Sequence, residues 1–229
     1  MGPPNGPLRE SEMIATPSVA RGNWPAPNPQ RIEAVTEDGF GLADLWEESP
    51  RLRDSSEPQT DAIVTALFPG NPLLCCGWAR HRFDTRQRKN WHKLESLQFI
   101  VPSPMTVRRA RTKERKLSAH TLNNTGPRRF LVVEFDSGTI DSQAALLLHL
   151  AESAPLALAV HSGGKSLHGW FYCAGCDDET LHAFMRTAAE LWADPATFDN
   201  RSQFVRMPDG VREDGKRQTV FFFNPEVVR

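Results

Sequence analysis

Residues 129 to 136, Arg-Phe-Leu-Val-Val-Glu-Phe-Asp, place Glu134 and Asp136 two positions apart at the end of an otherwise apolar strand. Side chains alternate across a strand, so the two carboxylates project together while Val133 and Phe135 turn to the opposite face. Packing alone gives a core strand no reason to end this way. Paired carboxylates on a rigid support are what Mg²⁺ and Mn²⁺ require, because these hard cations take one or two carboxylates together with water and substrate phosphates. The plain alternative is a strand that runs out into solvent.

About thirty residues further on, residues 156 to 173 read Leu-Ala-Leu-Ala-Val-His-Ser-Gly-Gly-Lys-Ser-Leu-His-Gly-Trp-Phe-Tyr-Cys, a strand, a glycine turn and a second strand. The Ser-Gly-Gly-Lys-Ser piece invites comparison with a phosphate-binding loop. That motif needs a glycine where Ala159 stands and a helix after the Lys-Ser pair, and here a β-rich run follows instead. In a hairpin, Lys165 and Ser166 flank the turn, and His168 shares a face with Ser166 and Trp170.

An acid-x-acid strand followed by a hairpin carrying Lys-Ser-x-His resembles the catalytic core of the archaeo-eukaryotic primase superfamily, the primase-polymerases of replication, repair and mobile elements. Glu134 and Asp136 match its first motif, with Glu where many members carry Asp, and Ser166-Leu167-His168 matches its second. Phe198-Asp199, trailed by Arg201, Gln203 and Arg206, fits the third, a lone acid after a hydrophobic residue; Asp209 is the rival for that role. The resemblance covers residues 130 to 225 and implies a DNA primase or polymerase that transfers nucleotides by two-metal phosphoryl transfer. It assigns Glu134, Asp136 and Asp199 to two Mg²⁺ or Mn²⁺ ions, and Lys165, Ser166, His168 and Arg206 to the triphosphate of an NTP or dNTP. Single-stranded DNA would be the template, with a replicative helicase as a further partner. Two other classes remain open at this point: a non-catalytic nucleic-acid-binding replication protein and a metal-dependent nuclease.

The elements needed to hold these residues follow from periodicity and capping signals. A strand over 130 to 136 leads to Asp141-Ser142 as N-cap and a helix over 143 to 152. The hairpin pairs 156 to 162 with 167 to 173, a helix follows near 178 to 193, and strands near 203 to 207 and 218 to 223 close the unit. The expected class is α+β, with an RRM-like antiparallel catalytic sheet over residues 129 to 225 whose acids and histidine lie on a helix-free face. A small α/β module is expected over 57 to 128: a helix over 60 to 68 capped by Thr60 or Asp61, a strand near 73 to 78, a basic helix or loop, and a strand near 97 to 102. Residues 107 to 124 read as a mobile basic loop. Residues 1 to 56, rich in Pro and acids, read as a flexible arm that packs a few apolar residues such as Ile32, Phe40, Leu42 and Trp46 on the body.

The net charge of −1 conceals a segregation, for residues 79 to 129 carry 14 Lys/Arg against 3 Asp/Glu. Arg86, Arg88, Arg108, Arg109 and Arg111 are interleaved there with Trp78, Phe83 and Trp91, a mixture suited to phosphate contact and base stacking. The competing reading is a solvated basic face that offsets the acidic N-terminus. Cys173 and Cys176 form one Cys-x-x-Cys, but adjacent Cys75 and Cys76 face opposite ways on a strand, which argues against structural zinc. No run of about 18 apolar residues and no charged start before an apolar core are found, so neither membrane contact nor secretion is indicated and the expected location is the cytoplasm.

Overall fold

The computed structural model describes residues 24–51 and 59–228. In chain order the helices and strands are α1 (Pro29–Thr36), α2 (Leu42–Glu47), α3 (Thr60–Leu67), β1 (Leu73–Ala79), β2 (Arg82–Gln87), β3 (Phe99–Ile100), β4 (Ala110–Arg111), β5 (Leu117–Ser118) and β6 (Phe130–Glu134). There follow α4 (Ile140–Ala151), β7 (Leu156–His161), β8 (Leu167–Tyr172), α5 (Asp178–Glu190), α6 (Ala196–Asp199), β9 (Val205–Arg206) and β10 (Val220–Phe223). The protein is therefore α+β, with antiparallel sheets. No described helix is long and apolar enough to cross a membrane.

Two four-stranded sheets, β2-β1-β3-β9 and β10-β7-β8-β6, form the body. Strand β6 is apolar on both faces because both are covered. Leu131, Val133 and Phe135 join the core beneath α4 and α5. Phe130 and Val132 turn the other way, with Trp170 and Leu158, against Leu74 and Cys76 of β1, Ile100 of β3 and Ile63 of α3. Full burial of Phe130, Phe135, Trp170 and Phe171 contributes about 1.5–3 kcal/mol apiece. The face that the sequence reading left open is thus packed against the first sheet, and the acidic strand end emerges at the rim of that contact.

Local signals explain where the helices begin. Thr139, rather than Asp141 or Ser142, caps α4 by accepting from the Ser142 amide at 3.1 Å. Asp177 caps α5 by accepting from the Thr180 amide at 2.8 Å, with Asp178 and Glu179 in the first turn favoured by the helix dipole. Helix α3 starts one residue after Gln59 with no side-chain cap, so neither Thr60 nor Asp61 plays that part.

Several expectations change. The segment read as a basic helix or loop is β2, paired antiparallel with β1 from Leu73↔Gln87 to Gly77↔Phe83 and, after a register shift, through Ala79↔Arg82. Residues 107 to 124 contain the hairpin β4-β5, turned through Arg115 at φ 63°, and a 3-10 turn at Leu122–Asn124. Of the expected arm, residues 1–23 and 52–58 lie outside the described residues, whereas α1 and α2 pack on α4 with Ile32 and Leu45 buried. Trp46 meets Phe221 edge-on, while Phe40 stays exposed.

The strand expected at 203 to 207 exists, but not in the sheet that contains β6 and β8. β9 pairs with β3 through Phe99↔Arg206 and Ile100↔Val205, and the chain returns only afterwards to place β10 beside β7. The expected boundary near residue 128 therefore does not separate the sheets. At the return, Asp209 takes the left-handed φ of 55°, which Asp tolerates better than most residues. Gly210 follows so closely under the Leu97 carbonyl that a Cβ there would lie 2.2 Å from the oxygen.

Gly210→Ala and Gly169→Ala test this crossing. The first meets backbone; the second meets the Leu147 side chain at 2.4 Å, whose end can shift. In urea unfolding, Gly210→Ala should cost about 3 kcal/mol and Gly169→Ala about 1–2 kcal/mol, within the range for overpacking. Equal losses would contradict the close approach at the crossing.

Candidate active site

Antiparallel pairing of β6 with β8 sets Glu134 directly opposite His168, with Val132↔Trp170 and Val133↔Gly169 behind them. The imidazole Nε2 lies 3.4 Å from Glu134 Oε1, yet neither ring nitrogen makes a hydrogen bond of good geometry. His168 is 2% exposed, and an unsatisfied buried polar group costs about 1–3 kcal/mol. Both ring nitrogens are inaccessible, and other buried polar atoms such as Trp170 Nε1 and Gln218 Oε1 share this state.

Asp136 lies exposed two residues beyond Glu134 and gathers the turn of the β7-β8 hairpin. Ser166 Oγ donates to Asp136 Oδ1 at 3.3 Å, and Lys165 Nζ donates to the Asp136 carbonyl at 3.2 Å. Behind them the buried Gln143 of α4 holds both loops. Its Nε2 donates to the carbonyls of Ser137 at 3.0 Å and Lys165 at 3.2 Å, and its Oε1 accepts from the Leu167 amide at 2.7 Å. The sequence reading used Gln143 only as the start of a helix; its role comes from three contacts distant in sequence.

A third carboxylate arrives along the free edge of β6. Phe135 bridges to Ala193, the Asp194 amide donates to the Glu134 carbonyl at 2.9 Å, and the Thr197 hydroxyl donates to the Val132 carbonyl. The segment satisfies an exposed strand edge and sets the charge of Asp194 beside Glu134. The sequence reading chose Asp199 for this part and kept Asp209 as its rival. Asp199 instead ends α6 and lines a separate cleft with Arg128, His182 and Phe198. Asp209 is buried and committed: its Oδ2 accepts from the Gln59 amide at 3.1 Å and meets Arg217 at 3.2 Å, and its Oδ1 accepts from the Val220 amide at 3.4 Å. The short Ala-Asp-Pro step after α5 gave no motif to find, since Asp194 is placed by edge pairing rather than by a regular element.

Burial pushes the Glu134 carboxyl up to about 7, Asp136 and Asp194 add to the rise, and Arg206 and Arg80 oppose it. Burial also drives His168 down to about 3, with Arg206 and His161 lowering it further. Proximity alone would make the two an ion pair. Burial outweighs it, so at neutral pH the imidazole is uncharged and able to accept or donate. Glu134 and Asp136 offer carboxylate oxygens, the donor type hard divalent cations take, while Asp194 acts on Glu134 through its charge and accepts from the Ala196 amide at 3.0 Å through Oδ1. Among the described residues no three His, Cys, Asp or Glu side chains converge tightly enough to hold a metal unaided.

The expected basic residues separate into groups. Arg206 reaches the acids from β9, its guanidinium 5.1 Å over the Phe99 ring, and desolvation lowers its pKa, with Arg212 adding to the fall and Glu134 opposing it. Arg80, from the β1-β2 turn and part of the basic segment expected from sequence, and Arg212, which donates to the Ser162 carbonyl at 3.1 Å and was not expected, complete a basic rim. Arg86 is held by Asp84 at 2.9 Å and lies over Trp91, and Arg88 donates to Thr65 Oγ1 at 2.7 Å. Arg108 donates to the Thr85 carbonyl at 3.3 Å and Arg111 to the Arg115 carbonyl at 2.9 Å; these two and Arg109 are exposed around the β4-β5 hairpin. Cys75 and Cys76 enter different cores, as their alternation requires.

No protein-family model, no curated protein and no solved structure matches this chain.

The shifted pair has opposite consequences for stability. Glu134 is raised from 4.5 to about 7, so the folded chain keeps a proton the unfolded chain has lost. Its contribution is full below pH 4.5 and declines as pH rises through 7. His168 is depressed from 6.5 to about 3, so its contribution is present above 6.5 and lost as pH falls toward 3. The two oppose each other between 4.5 and 6.5. Glu134→Gln removes only the first effect: in chelator, wild type and variant should match near pH 4, and the variant should be more stable by about 2–3 kcal/mol near pH 8. Equal urea midpoints at the higher pH would contradict a raised Glu134.

Proposed function

We propose that this chain is a metal-dependent nucleotidyltransferase of primase-polymerase type, adding NTPs or dNTPs to a strand directed by a single-stranded DNA template. The observation that carries the reading is the juxtaposition at the β6-β8 rim. Glu134 faces an unpartnered His168, Asp136 is tied to Ser166, Asp194 lies along the same strand edge, and cationic groups surround them. The core shares the β-α-β-β-α order of RRM-like folds, although its last strand pairs with β7 and leaves β6 at the edge.

Mg²⁺ or Mn²⁺ bound to the carboxylates would supply activation of the attacking hydroxyl and charge neutralisation at the leaving pyrophosphate. The chain's own part is positioning and charge. Lys165 stands exposed beside Asp136, and Arg206 and Arg80 bring permanent positive charge to the Glu134 side, so a triphosphate can settle between them through charge-assisted hydrogen bonds. Neutral His168 can donate one hydrogen bond to a phosphate oxygen without first giving up a proton. Gln143 keeps the Asp136 loop and the Lys165 turn in one arrangement, so the groups are preorganised.

The test is primer extension on a single-stranded template with Mn²⁺ and labelled nucleotides. Wild type should lengthen the primer; shortening would favour a nuclease instead. Asp136→Ala and Asp194→Asn should each reduce incorporation by at least about a hundredfold, the scale on which loss of transition-state charge stabilisation reads out. Asp199→Asn should remain within about threefold of wild type, since a modest barrier change of well under 1.4 kcal/mol is all its separate cleft allows. Single-stranded DNA binding should persist in all three. Full activity in folded Asp136→Ala would remove the site, and loss in Asp199→Asn with retention in Asp194→Asn would restore the original third acid.

A further inference from the structure

Beside the basic rim, the β1-β2 hairpin and the chain after β9 enclose a cleft of about 510 Å³, lined by Trp78, Arg82, Glu95, Gln98, Arg212 and Glu213 among others. That volume lies within the range that encloses small ligands, about 300–1,000 Å³. The Trp78 indole is half-buried and supported from behind. Trp91 lies at 5.9 Å, and Gln98 Nε2 donates to the Trp78 carbonyl at 2.7 Å. The Arg82 guanidinium lies over the indole, 5.0 Å from the ring centroid, so a base stacks on that face by displacing this side chain.

The charges around the cleft distinguish base from phosphate. Glu95 and Glu213 balance Arg82 and Arg212 in the lining, which gives a phosphate no net attraction to the interior. Carboxylates there can accept from the exocyclic amino groups of a base. The cations Arg80 and Arg206 lie toward Glu134, on the rim shared with the candidate active site. An aromatic platform with neutral walls and a cationic border is the arrangement used to stack one unpaired base while tracking the backbone.

We propose that this cleft stacks one unpaired base of a single-stranded oligonucleotide on Trp78, with the adjoining phosphate carried by Arg80 at the rim. The proposal rests on the primase-polymerase reading for the strand's purpose, but its test needs no catalysis. Affinity is measured by fluorescence anisotropy for two chains of about twelve units: an oligodeoxycytidylate, and an abasic chain with the same phosphates. Trp78→Leu keeps an apolar side chain for packing and removes the stacking face, and its unfolding midpoint reports whether the fold survives. Trp78→Leu should bind the base-bearing chain about 5- to 100-fold more weakly, from the stacking contribution of one base, and bind the abasic chain as wild type does. In a separate titration with Mn²⁺, the affinity for free dCTP should be unchanged.

Unchanged binding of the base-bearing chain would overturn the proposal. An equal loss on both chains would overturn it too, by making Trp78 structural, and a loss confined to dCTP would reassign the cleft to the incoming nucleotide. Should the extension assay fail while the base-dependent loss appears, the enzyme reading falls and the stacking site stands. Extension by the wild type with no base-dependent loss gives the reverse.

Discussion

The register of β6 on β8 is the constraint on which the rest depends. With period-two alternation, a slip of one residue would turn Glu134 and His168 to the helix side and bring Val133 and Phe135 to the rim. Packing on both sides forbids the slip. Leu131, Val133 and Phe135 are committed to one core, and Phe130, Val132 and Trp170 to the other. A costly, unsatisfied histidine and a desolvated carboxyl are therefore held in place by apolar contacts that have no chemistry of their own. Stability concentrated in the strand interiors sustains an unfavourable arrangement at their ends.

Two further devices extend that precision to irregular segments. Gln143 is rooted in α4, whose own position is fixed by apolar packing, and its amide ties the Ser137 and Lys165 loop carbonyls to the first amide of β8. Along the other flank, the unpaired carbonyls of β6 recruit Asp194 and Thr197 by ordinary backbone satisfaction. In each case the polar demand of a backbone group aligns a residue that the site needs.

How much of this could be read from the chain depended on whether a residue's role is local. Glu134, Asp136, Ser166 and His168 lie within strands or one turn away, and alternation alone predicted their shared face. β6, α4, β7, β8 and α5 each carry a strong apolar period and were visible with small errors at their ends. β2 was not, because charged residues on its exposed face, such as Arg82, conceal the buried Thr85 and the half-buried Phe83. β9 is two residues long, too short for any period, and its membership in the first sheet is decided by Phe99 and Ile100 more than a hundred residues earlier. Asp194 and Arg212 share that difficulty: each owes its position to a tertiary contact and shows no local pattern.

The passage of β9 into the first sheet also bears on how such a molecule can change. The chain leaves the second sheet after β8 and α5, contributes two residues between β3 and solvent, and comes back as β10. No single break in the covalent chain yields two pieces that each own a complete sheet. A recombination event at the apparent module boundary would strip one product of an edge strand and burden the other with an orphan. Inheritance should therefore treat both sheets as one exchangeable unit, with variation confined to their loops and to the hairpin at 110 to 118.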